Sequence, residues 1–125
     1  MKIIFVCSGN TCRSPLAESI AKSLLPNDSI ASRGLFAVEG QAISKESLEL
    51  IHKYGLPEPS LAQTFRIDDL DADIILTMTQ AHKDLIFSMY GRQSNVFTLN
   101  EYVGDTQEID DPFGCLLYTY DAADE

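Results

Sequence analysis

No apolar run in this chain approaches the ~20 residues that a membrane helix needs. Ile3 to Val6 is also far too short an apolar stretch for a signal peptide. The expectation is therefore a cytoplasmic protein with no membrane partner. Basic residues are scarce, 9 against 19 acids, for a formal net charge of -10. That balance argues against a nucleic acid held by its backbone charge. It favours solubility and is compatible with a small electropositive pocket in an acidic body. Cysteine is limited to Cys7, Cys12 and Cys115, an odd count that argues against a disulfide framework. The two histidines, His52 and His82, are isolated, and Cys7 and Cys12 are too far apart for a C-x2–4-C pair, so no zinc centre is expected. There is no repeat, low-complexity run or linker, and the 125 residues suit one domain with a modest core.

What the chain does contain is an alternation of strand and helix signals. Ile3-Ile4-Phe5-Val6 reads as a buried strand that stops at Cys7. Pro15 to Leu25 carries apolar residues at 16, 17, 20, 21, 24 and 25, the spacing of a helix. A second strand is expected within Ser29–Val38, and a helix over Ser44–Tyr54 with Ser44 as its cap and Gly55 as its stop. Residues 64–70 suggest one helical turn, 72–78 a buried strand, 80–90 a helix ended by Gly91, and 96–99 a last strand. Residues 100–114 read as an irregular acidic loop. The class is α/β with a four-stranded parallel sheet, whose ligands sit at the carboxyl ends of the strands. Asp68-Asp69 reads as a solvated face, and His82 as a surface or capping residue.

Cys7 ends the first strand, and Arg13, Ser14 and Pro15 follow at the start of the first helix. Free backbone N–H groups and the positive helix end converge in such a loop and make an anion site. Free cysteine is mostly thiol at neutral pH, and the thiolate is the nucleophile. The loop donors and Arg13 would favour the thiolate and hold the oxygens of a phosphoryl group, two of them in the guanidinium fork. The small residues Ser8, Gly9, Asn10 and Thr11 let the backbone curl around the anion. The Ser14 hydroxyl is placed to donate to the sulfur. Phosphoryl transfer also needs an acid, for which Asp111, stiffened by Pro112, is the first candidate and Asp110 the second. No metal or other cofactor is required.

Val6-Cys7-Ser-Gly-Asn-Thr-Cys-Arg13-Ser14-Pro15, together with Asp111-Pro112-Phe113, resembles the low-molecular-weight protein tyrosine phosphatase family. The resemblance runs from about residue 2 to 114 and includes residues 78–83 and 96–103. It implies a flavodoxin-like three-layer fold, a phosphocysteine intermediate on Cys7, phosphate binding by Arg13 and the loop amides, and Asp111 as general acid. It also implies that Asn10 and Ser14 support the loop, with Ser32 a weaker match. The partners it implies are phosphorylated proteins. Thr11 stands where tyrosine-directed members carry an aliphatic residue, and it resembles the bacterial protein-arginine phosphatases of the family. Its hydroxyl suits a guanidinium better than a phenol ring, and Phe113 also resembles the bacterial branch. Phosphoarginine is the expected substrate and phosphotyrosine the alternative. Cys12 has two readings: a small packed side chain under the loop, or the partner of Cys7 in a reversible protective disulfide.

After Gly114 the family pattern breaks. The expectation is a phosphatase domain over residues 1–114 and an atypical, foreign-looking tail over 115–125, with the usual terminal helix missing and stability reduced accordingly. Arsenate reductases share the fold and the loop, but need relay cysteines that residues 70–100 do not supply. A phosphate-binding module or inactive fragment is the non-enzymatic alternative.

Overall fold

The computed structural model of the protein describes residues 1–11 and 13–103. Cys12, Asp111, Phe113, most of the expected acidic loop and the 115–125 tail lie outside the described residues. The elements are β1 (Lys2–Cys7), α1 (Arg13–Leu24), β2 (Ser29–Gly34), α2 (Lys45–Lys53), a 3-10 turn (Ile67–Asp71), β3 (Ile74–Thr77), α3 (Gln80–Tyr90), β4 (Val96–Thr98) and α4 (Leu99–Val103). All strand pairings are parallel, in the order β2-β1-β3-β4. This is the flavodoxin-like arrangement, with β1 central and the switch of strand order beside its carboxyl end.

Strand parity divides the core. Ile4 and Val6 point to one face, where Ile75, Ile86, Phe65 and Val96 bury with Leu85, Phe87 and Tyr90 packed against them. Ile3, Phe5 and Cys7 point to the other, with Ile30, Leu76 and Met78 and the small residues Ala17 and Ala21 of α1. Ile4, Ile75 and Ile86 are fully buried, each worth about 2–3 kcal/mol against exposure. Cys7 thus ends a strand on the face that α1 covers, and α1 is the helix that its own loop leads into.

Helix α1 sets the small residues Ala17 and Ala21 against the sheet, but its buried positions are mostly polar. Its buried residues are Ser14, Pro15, Glu18 and Ser19, while Ile20 and Leu24 are exposed. The polar face is buried because each group finds a partner. Ser19 Oγ donates to the Pro57 carbonyl, and Glu18 accepts from Ser32, from Ser60 and from the Lys22 ammonium.

Elsewhere the elements follow local signals. Ser44 caps α2 and accepts from Ser47 N; Gly55 beyond it has φ 62°. The last helix was not expected, because residues from 100 onward read as loop. Thr98-Leu-Asn-Glu101 forms a reciprocal capping pair: Thr98 N donates to Glu101 Oε1 at 2.8 Å, and Glu101 N donates to Thr98 Oγ1 at 2.9 Å. Asp68 is exposed, but Asp69 is buried, not solvated. It accepts from Arg66 N and pairs with Arg33 at 3.3 Å, tying the 3-10 turn to β2.

Gly34 closes β2 opposite Cys7. Its N–H donates to Gln63 O and its carbonyl accepts from Phe65 N, so residues 63–65 run alongside it. A Cβ there would meet Ser8 O at 2.6 Å, Ala37 Cβ at 2.8 Å and Asn10 Cβ at 2.9 Å. Gly34→Ala is therefore expected to cost about 1–3 kcal/mol in urea unfolding and to disturb the loop that follows Cys7. Unchanged stability in that variant would contradict the close approach.

Candidate active site

The loop from β1 to α1 closes around the Cys7 sulfur. Cys7 is a free, buried thiol. Asn10 N donates to its Sγ at 3.2 Å, and Ser14 Oγ lies 2.8 Å from it. The tight curl rests on Asn10, whose φ is 57°. Gly9 is not held in that region, and a Cβ on it would make only an ordinary contact, with Thr11 Oγ1 at 3.5 Å. Asparagine tolerates the left-handed region because its side chain can hydrogen-bond locally.

The Asn10 side chain is fully buried and its bonds have one consistent direction. Its Oδ1 accepts from Gln63 N at 2.8 Å. Its Nδ2 therefore supplies both donors, to Ser14 Oγ at 3.0 Å and to Ser32 Oγ at 2.8 Å. Ser14, having accepted from Asn10, keeps its own proton for the sulfur. Ser32 in turn donates to Glu18 Oε1 at 2.5 Å. The chain Glu18–Ser32–Asn10–Ser14–Cys7 joins α1, β2 and the loop with every donor used. Other loop carbonyls are held by backbone donors: Leu35 N to Cys7 O, Phe36 N to Ser8 O, and Ser44 N to Thr11 O at 2.6 Å.

Arg13 opens α1, and its Nε and Nη1 are buried without a hydrogen-bond partner among the described residues. A guanidinium in that condition requires an anion. Thr11 is buried at 9% exposure, and its hydroxyl bonds to no described residue. No group of three or more His, Cys, Asp or Glu side chains suited to a metal occurs among the described residues.

His82 corrects its surface assignment. Thr79 does cap α3, accepting from His82 N, but the imidazole is buried at 3% exposure. Its Nε2 is 2.9 Å from Ser8 Oγ and its Nδ1 is 3.1 Å from Thr79 Oγ1. Burial first, and then the nearby Arg13 charge, push its pKa down from 6.5 to about 4. Sequence reasoning placed Cys7, Ser8, Gly9, Asn10, Thr11, Arg13, Ser14 and Ser32 at the carboxyl end of β1, and the fold gathers them there. It missed Glu18, Ser60, Gln63 and His82. Glu18 had a signal, since it lies one turn along the same helix face as Ser14. Gln63 had none, and His82 lay within the matched residues 78–83, but only the fold brings either to the loop.

A cysteine held in a loop of donors, followed at a helix start by an arginine with buried, unpartnered nitrogens, fits a cysteine-dependent phosphatase. The model of the family "Low molecular weight phosphotyrosine protein phosphatase" matches residues 2–122. The chain is 91% identical over 121 residues to the low molecular weight protein-tyrosine-phosphatase PtpB of Staphylococcus epidermidis, covering 97% of this chain and 87% of that protein. Among solved structures, a YwlE mutant from Bacillus subtilis superposes with a TM-score of 0.85 at 35% identity, covering 98% of this chain and 88% of that one. The YwlE arginine phosphatase from Geobacillus stearothermophilus gives 0.83 at 35% identity, with 98% and 82% coverage. The chain belongs to the low molecular weight phosphotyrosine protein phosphatase family, and its substrates are phosphorylated proteins.

The buried imidazole makes folding pH-dependent. As pH falls below ~6.5 the unfolded chain takes up a proton that folded His82 refuses until about pH 4. Its contribution is therefore complete above ~6.5 and is lost progressively toward pH 4, in total about 3 kcal/mol. Glu39 is held below its usual value first by the Thr64 backbone hydrogen bond, and Glu101 first by the Lys83 hydrogen bond. Their losses fall at lower pH, below the usual carboxylate range. Urea midpoints measured from pH 7 to 4.5 are expected to drop less steeply in His82→Gln than in the wild type. Parallel slopes would contradict the burial of a neutral imidazole.

Proposed function

We propose that the protein hydrolyses phosphoarginine in proteins through a phosphocysteine formed on Cys7. The observation that carries this reading is the pair of buried, unpartnered N–H groups on Arg13 at the end of the Cys7 loop. They suit the oxygens of a transferring phosphoryl group, held in a fork that also receives charge as the transition state develops. The amides of Ser8, Gly9, Asn10, Thr11 and Cys12 would complete the cradle.

In the first step the Cys7 thiolate attacks phosphorus. The bond from phosphorus to the guanidino nitrogen breaks, and Asp111 protonates that nitrogen as it leaves. In the second step the Asp111 carboxylate takes a proton from water, whose oxygen attacks phosphorus. The sulfur–phosphorus bond breaks, with Ser14 donating to the departing sulfur, and phosphate is released. Neither step uses a metal or cofactor. Asp111 and Phe113, the proposed acid and pocket wall, come from the sequence pattern and lie outside the described residues. The domain over 1–114 is expected to carry this chemistry in the cytoplasm.

Thr11 supports arginine over tyrosine. Its side chain sits in the loop with a hydroxyl that no described residue occupies, which fits a polar guanidinium better than the face of a phenol. The likeness to a YwlE arginine phosphatase supports the same choice. The protein-tyrosine-phosphatase name of the Staphylococcus epidermidis relative favours the second reading, phosphotyrosine.

Paired assays with phosphoarginine and phosphotyrosine peptides test both parts. Cys7→Ser is expected to lose at least about a thousandfold in kcat, and turnover retained in it would remove the covalent route. Thr11→Ile is expected to shift the ratio of kcat/KM values toward phosphotyrosine by about tenfold or more. An unchanged ratio would remove the substrate assignment.

A further inference from the structure

The buried imidazole of His82 is not used by the mechanism above, and burying it costs stability at mildly acidic pH. Its hydrogen bonds give it a direction. Thr79 Oγ1 already accepts from His82 N at 3.3 Å. Its own proton has one acceptor within reach among the described residues, His82 Nδ1 at 3.1 Å. Nδ1 is then the acceptor nitrogen of a neutral ring, and Nε2 carries the hydrogen. Nε2–H donates to Ser8 Oγ at 2.9 Å.

Ser8 follows Cys7 and is itself buried, at 3% exposure. With one lone pair of its oxygen occupied by His82, its proton has no other acceptor among the described residues. Arg13 lies close enough for its charge to bear on the same imidazole. Ser8 therefore joins the histidine to the loop that carries Arg13, with a proton to give.

We infer that His82 is a positioning residue, which through Nε2–H orients the Ser8 hydroxyl as an additional donor to the phosphoryl group in the Cys7 loop. Thr79 sets the tautomer, His82 sets the serine rotamer, and Ser8 touches the anion. Had the ring been protonated, Nδ1 would also have been a donor facing Thr79, and the relay would have lost its direction. A neutral imidazole keeps the relay pointed one way and adds no second positive charge beside Arg13. The inference rests on the phosphatase reading of the loop and extends it to α3.

The test uses the full chain with p-nitrophenyl phosphate as substrate, inorganic phosphate as competitive inhibitor, and thermal melts alongside. His82→Phe and Ser8→Ala are each expected to lower kcat/KM about tenfold and to raise the Ki for phosphate, the effect of one lost hydrogen bond to a charged group. The double variant is expected to be no worse than either single one, because both remove the same donor. His82→Gln, whose amide can donate to Ser8, is expected to recover activity to within about threefold of wild type. Additive losses in the double variant would overturn the inference, as would a His82→Phe protein that melts lower but keeps its kcat/KM and Ki. Should His82→Phe not fold, Ser8→Ala and His82→Gln decide: full activity in Ser8→Ala overturns the relay, and a tenfold loss there with recovery in His82→Gln supports it. A wild type that neither hydrolyses p-nitrophenyl phosphate nor binds phosphate would sink the phosphatase reading and this inference together. An active wild type indifferent to Ser8→Ala and His82→Phe sinks this inference alone.

Discussion

The side chain of Asn10 is the interaction on which the rest of the site depends. It is fully buried, in a left-handed backbone conformation, and makes its three hydrogen bonds to three other parts of the chain. Ser14 belongs to α1, Ser32 to β2 and Gln63 to the segment that runs beside β2. An apolar replacement would remove all three bonds at once, leaving Gln63 N without this acceptor and Ser14 and Ser32 with one partner fewer each. Aspartate has no N–H to give Ser14 and Ser32. The shape of the loop and the direction of the proton on Ser14 are thus consequences of one amide.

Around that amide the molecule uses buried polarity where a simpler domain uses apolar packing. The inner face of α1 carries Ser14, Glu18 and Ser19 against the sheet and the 57–60 segment. Glu18 is a buried carboxylate that accepts from two serines and pairs with Lys22 at 2.6 Å. Such an arrangement is tolerable only when the buried charge is well supplied with donors, and both oxygens of Glu18 are hydrogen-bonded. Its effect is to hold β2, α1 and the loop in one register, and so to fix where Cys7 stands relative to Arg13. At the loop the guanidinium of Arg13 keeps two buried N–H groups without a partner among the described residues, and the buried imidazole of His82 stays neutral. An acidic chain with net charge -10 thereby keeps a local excess of positive charge at one strand end.

Much of this is legible in the sequence alone. The parallel sheet followed from alternating apolar runs and helical spacing, and the end of Gln80–Tyr90 followed from Gly91, because helix stops are local. The loop residues were legible because a phosphate cradle needs its nucleophile, small residues and arginine within one turn of chain. Three misreadings have physical causes. His82 was read as a surface or capping residue, when its ring is buried against Ser8, which lies far from it in the chain. The Thr98-x-x-Glu101 cap was passed over inside an acidic stretch. Asp69 was grouped with Asp68 as solvated, when its partner Arg33 lies 36 residues away in the chain.

The sequence by itself determined the chemistry on offer: a thiol at a strand end, an arginine six residues on, and a short loop able to curl between them. These are neighbours in the chain, so their meeting needs only local geometry. The tertiary structure decided what surrounds them. Gln63, fifty-three residues from Asn10, and His82, seventy-four from Ser8, reach the loop only because β1 lies at the centre of the sheet between β2 and β3. Which way a hydroxyl points, and whether a histidine is charged, depend on such distant partners, because desolvation and hydrogen bonding are properties of the packed interior and not of the residue.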